Sequence, residues 1–133
     1  KNYKNFGENM FGPIKIPYEC VMLLNVCKLK KGSKFEDAEM AIGETCTLTK
    51  NNHANFVAGQ VFSYEGFISP EGTVGDMGKE GDHFLLITYW KDFESHEESH
   101  KDKVVMNAFE GILEFVSESK ELGYKLQWQG EKE

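Results

Sequence analysis

Apolar positions change their period along this chain, from strand-like to helix-like and back. Val21 to Lys28 is apolar with β-branched residues, the pattern of a strand buried on both faces, and Lys30-Lys31-Gly32 ends it. Ser33 with Glu36 three residues on forms a capping-box pattern, and Phe35, Ala38, Ile42 and Cys46 follow at i, i+3, i+7 and i+11. That spacing predicts a helix from about Lys34 to about Thr49. Phe56 to Phe67 and Phe84 to Trp90 predict a second and a third strand. Residues 94 to 101 form a short polar helix, and Val105, Phe109, Ile112, Leu113 and Val116 make the apolar stripe of a longer one. Tyr124, Leu126 and Trp128 then alternate with Lys125, Gln127 and Gln129, which is the period of a half-buried last strand.

The order β-α-β-β-α-β predicts an α+β ferredoxin-like sandwich, an antiparallel sheet with helices on one face. Such a sheet leaves an apolar face open. Two of them facing each other form a closed dimeric α/β barrel, so a homodimer or a higher homo-oligomer is the expected assembly. Residues 1–18 carry Gly7, Gly12, Pro13 and Pro17 without a sustained period and form an irregular arm ahead of a domain spanning 19–133. Tyr3, Phe6 and Phe11 on this arm need a surface to cover. The glycine-rich stretch from Ser69 to Asp82 predicts a functional loop, either a lid or an oligomer contact.

Composition removes several function classes. The net charge is -7, from 22 acidic residues against 15 basic ones, and every basic residue is lysine. Without arginine the chain lacks the planar fork that binds phosphate or guanine bidentately, which argues against nucleic acid. No apolar run approaches the roughly 20 residues of a membrane span, and Asn25 interrupts the run from Val21 to Val26. A soluble, cytoplasmic protein is expected. Cys20, Cys27 and Cys46 are odd in number and show no CxxC spacing, which argues against a disulfide framework or a thiolate zinc knuckle.

Candidate chemistry concentrates in His96-Glu97-Glu98-Ser99-His100. On a helix the two imidazoles lie four residues apart on one face, close enough to share a metal ion. Three readings follow from the residues. The histidines are solvated side chains on an acidic helix, among Glu94, Glu97, Glu98 and Asp102. Or they form the HExxH pattern of a zinc hydrolase, with Glu97 activating water. Or, with Glu121 as third ligand, they build the two-histidine, one-carboxylate site of a non-haem iron oxygenase, a donor set that also accepts zinc. His53 and His83 read as solvated residues. Trp90, with aromatics at 56, 62, 64, 84 and 93, lines an apolar cavity in this view.

The segment from Tyr89 through Trp90-Lys91-Asp92 to His96-Glu97-Glu98-Ser99-His100 resembles the iron-binding segment of the sulfur oxygenase reductases, where Phe-Trp-Lys-Asp leads into His-Glu-Glu-Met-His. Leu24-Asn25-Val26 through Lys28-Leu29-Lys30 resembles that family's first strand. Cys46 followed by Asn55-Phe56-Val57 and Gln60 is similar to its cysteine followed by Gly-Phe-Val and Gln. Lys120-Glu121-Leu122-Gly123-Tyr124 loosely resembles its Trp-Glu-Pro-Ile-Tyr. The resemblance spans residues 22–128 and implies a mononuclear iron bound by His96, His100 and Glu121. It also implies a Cys46 persulfide that carries sulfur or polysulfide, oxidised to products such as sulfite and thiosulfate. Those enzymes are more than twice as long, with two ferredoxin-like halves per subunit, so a homodimer would replace the missing half. By its length the chain also resembles antibiotic-biosynthesis and haem-degrading monooxygenases, in some of which a histidine on the matching helix binds haem. A non-enzymatic ligand-binding barrel is the remaining alternative.

Overall fold

A computed structural model describes residues 12–75 and 80–133. Its elements are β1 (Val21–Leu29), α1 (Phe35–Asn52), β2 (Phe56–Ser63), β3 (His83–Trp90), α2 (Phe93–Ser99), α3 (Lys103–Leu113) and β4 (Val116–Lys125), with a short 3-10 turn at Pro70–Gly72. The strands form one sheet in the order β2-β3-β1-β4 with every pairing antiparallel. The fold is α+β and ferredoxin-like, as the order of periods predicts. No helix among the described residues is long and apolar enough to cross a membrane.

Side-chain alternation divides the sheet into two unlike faces. Val21, Leu23, Asn25 and Cys27 of β1 are buried towards the helices, while Met22, Leu24 and Val26 between them are only half-buried. Burial of β1 on both faces is therefore not met within one chain. On the open face Leu122 and Tyr124 of β4 pair with Leu24 and Met22, and Phe62 of β2 is half exposed.

The helix face has an apolar cluster at either end. Cys27, Phe84, Leu86, Ala38, Ile42 and Ile112 pack together at one end. Val21, Leu23 and Trp90, with Phe56 against them, form the other. Between them the strands present polar residues: Asn25 lies between Leu23 and Cys27, and Thr88 between Leu86 and Trp90. This polar middle is where the site forms.

Several element boundaries differ from the sequence expectation. The first helix is capped at Lys34, whose backbone N–H donates to the Asp37 carboxylate at 2.8 Å, and not at Ser33. Its buried stripe runs Ala38, Ile42, Thr45 and Thr49, so Cys46 sits half-buried beside the stripe. The second strand stops at Ser63 instead of Phe67. The stripe through Val116 overshoots the last helix: α3 ends at Leu113, and Val116 opens β4, which closes at Lys125 before Trp128. Trp128 is 80% exposed, and the Gln129 amide beside it donates to the Ile16 carbonyl at 2.7 Å, tying the tail to the arm. Tyr3, Phe6 and Phe11 of the arm, and 76–79 of the glycine-rich loop, lie outside the described residues.

Candidate metal centre

The site starts with how α2 is placed. Asp92 caps it, accepting from the Ser95 backbone N–H at 2.7 Å. Phe93 then lies over Gly123 of β4, where a Cβ would stand 2.8 Å from the Phe93 ring. Gly123 leaves room for that ring and lets α2 settle on the sheet. The helix ends at His100, which keeps a helical backbone, so the four-residue spacing from His96 holds. The two imidazoles meet edge to face with centroids 4.4 Å apart, and Trp90 packs its edge on His96 at 5.5 Å.

Glu121 reaches the same point from the sheet. It lies mid-strand in β4, directly opposite Asn25 of β1. The Asn25 Nδ2 donates to Glu121 Oε2 at 2.9 Å, leaving Oε1 turned to the histidines. That oxygen is 3.2 Å from His96 Nε2 and 3.6 Å from His100 Nε2. Ligand atoms of His96, His100 and Glu121 thus lie within 4.8 Å of one another. His96 is 4% exposed, so the reading of both histidines as solvated surface residues does not hold for it.

Burial disfavours protonation of His96, but the Glu121 and Glu97 carboxylates outweigh it and raise the pKa above the ordinary imidazole value. Burial likewise favours a neutral Glu121, yet hydrogen bonds from His96 and Asn25, with charge from His96 and His100, lower its pKa. The carboxylate is therefore ionised at neutral pH, as a ligand requires. The donor set, two imidazole nitrogens and one oxygen, fits a first-row divalent ion such as iron or zinc.

The cluster, with Asn25 and Lys120, forms the polar side of a cavity of about 240 Å³ whose other walls include Leu86, Trp90, Val105, Met106 and Phe109, with Thr45, Thr49 and Ser99. The Thr45 and Thr49 hydroxyls donate to carbonyls one turn back at 2.8 and 2.7 Å, and Ser99 to His96 O at 2.6 Å. Their protons are spent on the helices, which makes the wall drier than its composition suggests.

Only Trp90 of the aromatics expected around the cavity lines it. Phe84 is fully buried in the core, Phe62 lies on the opposite sheet face, and Phe93 is 43% exposed. Phe109 takes the aromatic role instead. Cys46 is not among the lining residues: it packs against the core cluster, and burial pushes its thiol up to about 11. His53 is half-buried and bonded to Asp102 at 2.9 Å, while His83 stacks on Tyr64. Asn25, Thr45, Thr49 and Phe109 were not anticipated. The visible signal for Asn25 was its position as the one polar break in an apolar run.

The chain matches no protein-family model and no curated protein. Its fold does match solved structures. SnoaB, a cofactor-independent oxygenase from Streptomyces nogalater, superposes with a TM-score of 0.61 at 10% identity over 84% of this chain and 96% of that one. A dimeric ferredoxin-like protein of unknown function from Thermobifida fusca gives 0.63 at 6% identity over 86% and 100%. A candidate antibiotic-biosynthesis monooxygenase from Bacteroides thetaiotaomicron gives 0.60 at 10% over 86% and 96%. The shared feature is the ferredoxin-like fold. Likeness at this identity shows fold alone, and it lends no support to the sulfur oxygenase reductase resemblance.

Proposed function

We propose that this chain is a small oxygenase that acts on a compact, largely apolar substrate beside a mononuclear metal held by His96, His100 and Glu121. One observation carries the reading: two imidazoles and a carboxylate ordered by Asn25 converge at the edge of an apolar cavity. Iron is the proposed metal, because this donor set with open positions is the one non-haem iron oxygenases use to bind dioxygen and substrate together. The residues of the chain would hold the ion, keep Glu121 ionised, and supply a dry wall of Trp90, Leu86, Val105 and Phe109 against the substrate.

Geometry weighs against three alternatives. Glu97 stands against the Nδ1 atoms of both histidines, opposite the Nε2 atoms that face Glu121, so it is poorly placed to activate a water as an HExxH hydrolase needs. A cavity of about 240 Å³ lies below the ~300 Å³ at which drug-sized ligands begin to fit, and it does not enclose a haem. Cys46, protonated and outside the cavity, is unsuited to the persulfide step, since the thiolate is the attacking form. Sulfur or polysulfide remains a substrate to be tried, with small aromatic compounds beside it.

The second reading, a cofactor-independent oxygenase, is favoured by the likeness to SnoaB. Either enzyme would work as a homodimer closed over the open sheet face, as the dimeric Thermobifida fusca neighbour encourages. Anaerobic reconstitution with ferrous iron, followed by metal analysis and oxygen-uptake assays, separates the two. Near-stoichiometric iron that is lost in Glu121→Gln supports the metal reading. Uptake that persists in chelator-treated protein and in Glu121→Gln overturns it in favour of the second.

A further inference from the structure

We propose that Glu97 is a positioning residue that orders both imidazoles with one carboxylate, setting their Nε2 atoms inward as a ready pair of donors. This rests on the metal reading of His96, His100 and Glu121. Oε1 of Glu97 lies 3.3 Å from His96 Nδ1, and Oε2 lies 3.4 Å from His100 Nδ1. The two rings thus stand between two carboxylates, Glu97 on the Nδ1 side and Glu121 on the Nε2 side.

Adjacent residues of a helix point away from each other, so an i, i+1 contact between His96 and Glu97 requires the glutamate to fold back along α2. Folded back, it also reaches His100 three residues on. Among the described residues His96 Nδ1 is buried and makes no hydrogen bond of good geometry, which leaves Glu97 Oε1 as the acceptor beside it. The neighbouring Glu98 does not compete, since it pairs with Lys101 at 3.1 Å.

Metal-binding histidines usually donate the second ring N–H to a carboxylate or carbonyl, which fixes the tautomer and the ring plane. Two such histidines ordinarily need two partners. Here a single side chain, 69% exposed, stands where both are required. An exposed pair of this kind adds little to folding, whereas loss of an outer partner lowers metal affinity by about 10- to 100-fold. The two roles therefore separate experimentally.

The test uses cobalt(II) as a spectroscopic probe on the full chain, with thermal melts run alongside. Glu97→Ala is expected to bind cobalt(II) about 10- to 100-fold more weakly, with altered visible absorption bands and a nearly unchanged melting temperature. Glu97→Gln should recover part of the affinity through its amide oxygen, and Glu98→Ala should match the parent protein. Unchanged affinity and spectrum in Glu97→Ala would overturn the proposal. If the parent protein takes up no cobalt(II), the metal reading itself fails, and nitrogen-15 imidazole spectra of metal-free protein at alkaline pH then decide the role of Glu97. Its removal should move both rings towards the Nε2–H tautomer, and static tautomer populations would refute the positioning role.

Discussion

Replacing Asn25 by leucine probes the cluster without touching a ligand. Asn25 is 6% exposed, and its side-chain amide donates to Glu121 Oε2 at 2.9 Å. Leucine keeps the branched outline of the amide at a larger volume, with the adjoining cavity to take up the difference, and removes the donor. A hydrogen bond to a charged group contributes about 1.5–3 kcal/mol. The Glu121 side chain is 30% exposed, however, so water replaces much of the loss and leucine adds apolar burial. Stability of the metal-free protein should therefore change by less than about 1 kcal/mol. Metal affinity should fall further, by about 10- to 100-fold, or about 1.4–2.8 kcal/mol, because the carboxylate can now rotate away from the histidines. Isothermal titration with zinc(II), paired with urea unfolding of the metal-free protein, measures both quantities. Affinity equal to that of the parent protein, with folding intact, would show that Asn25 does not order Glu121 for binding.

The opposed pKa shifts of His96 and Glu121 set a pH window for the metal-free protein. The raised His96 value contributes stability that is complete below the ordinary 6.5 and is lost as pH rises through the folded value. The lowered Glu121 value contributes stability above the ordinary 4.5 that is lost as pH falls through its folded value. The melting-temperature gap between parent and Glu121→Gln should thus be widest between those two values, and a constant gap from about pH 3 to pH 9 would contradict the pairing. Ile112→Ala, at a fully buried position, should cost about 2–5 kcal/mol in urea unfolding, and a cost under about 1 kcal/mol would mean that the α3 contact with the core is misplaced. Leu122→Asp, on the open sheet face, should convert the proposed homodimer to monomer by light scattering, and an unchanged mass would place the partner surface elsewhere. Asp102 caps α3 through the Val104 and Val105 N–H groups and also bonds His53, and those bonds hold its pKa below the ordinary carboxylate value. Asp102→Ala should lower the melting temperature more than Asp102→Asn, which keeps an acceptor, and equal losses would remove the capping role.

Legibility in the sequence followed how each residue reports its environment. The ferredoxin-like order was visible because β1, β3 and α3 carry their apolar residues at the periods of their faces. His96 and His100 were visible because two imidazoles four apart on a helix necessarily meet. The last strand was placed too late, around Tyr124 to Gln129 instead of Val116–Lys125, since the residues it turns to the helices are Ser119, Glu121 and Gly123, and Lys120 interrupts the opposite face. A segment that lines a polar site from an exposed sheet edge has no hydrophobic alternation to show, and so Glu121 was reached as a carboxylate able to complete the histidine pair and not by period.

The first helix shows a related effect. Thr45 and Thr49 were passed over as polar, yet each hydroxyl bonds a carbonyl of its own helix, which lets the side chain be buried as an apolar one would. The stripe keeps Ala38 and Ile42 but continues through Thr45 and Thr49, which line the cavity, while Cys46 beside it packs against the core cluster. Asn25 shows the converse: its parity along β1 put it on the helix face, where a buried amide requires a partner, and the partner is Glu121, the proposed ligand. Polar residues at core-facing positions, once their own hydrogen bonds are traced, thus separate those that merely fit from those that organise chemistry. By that criterion Asn25 belongs with Glu121 to the site, while the threonines belong to the wall.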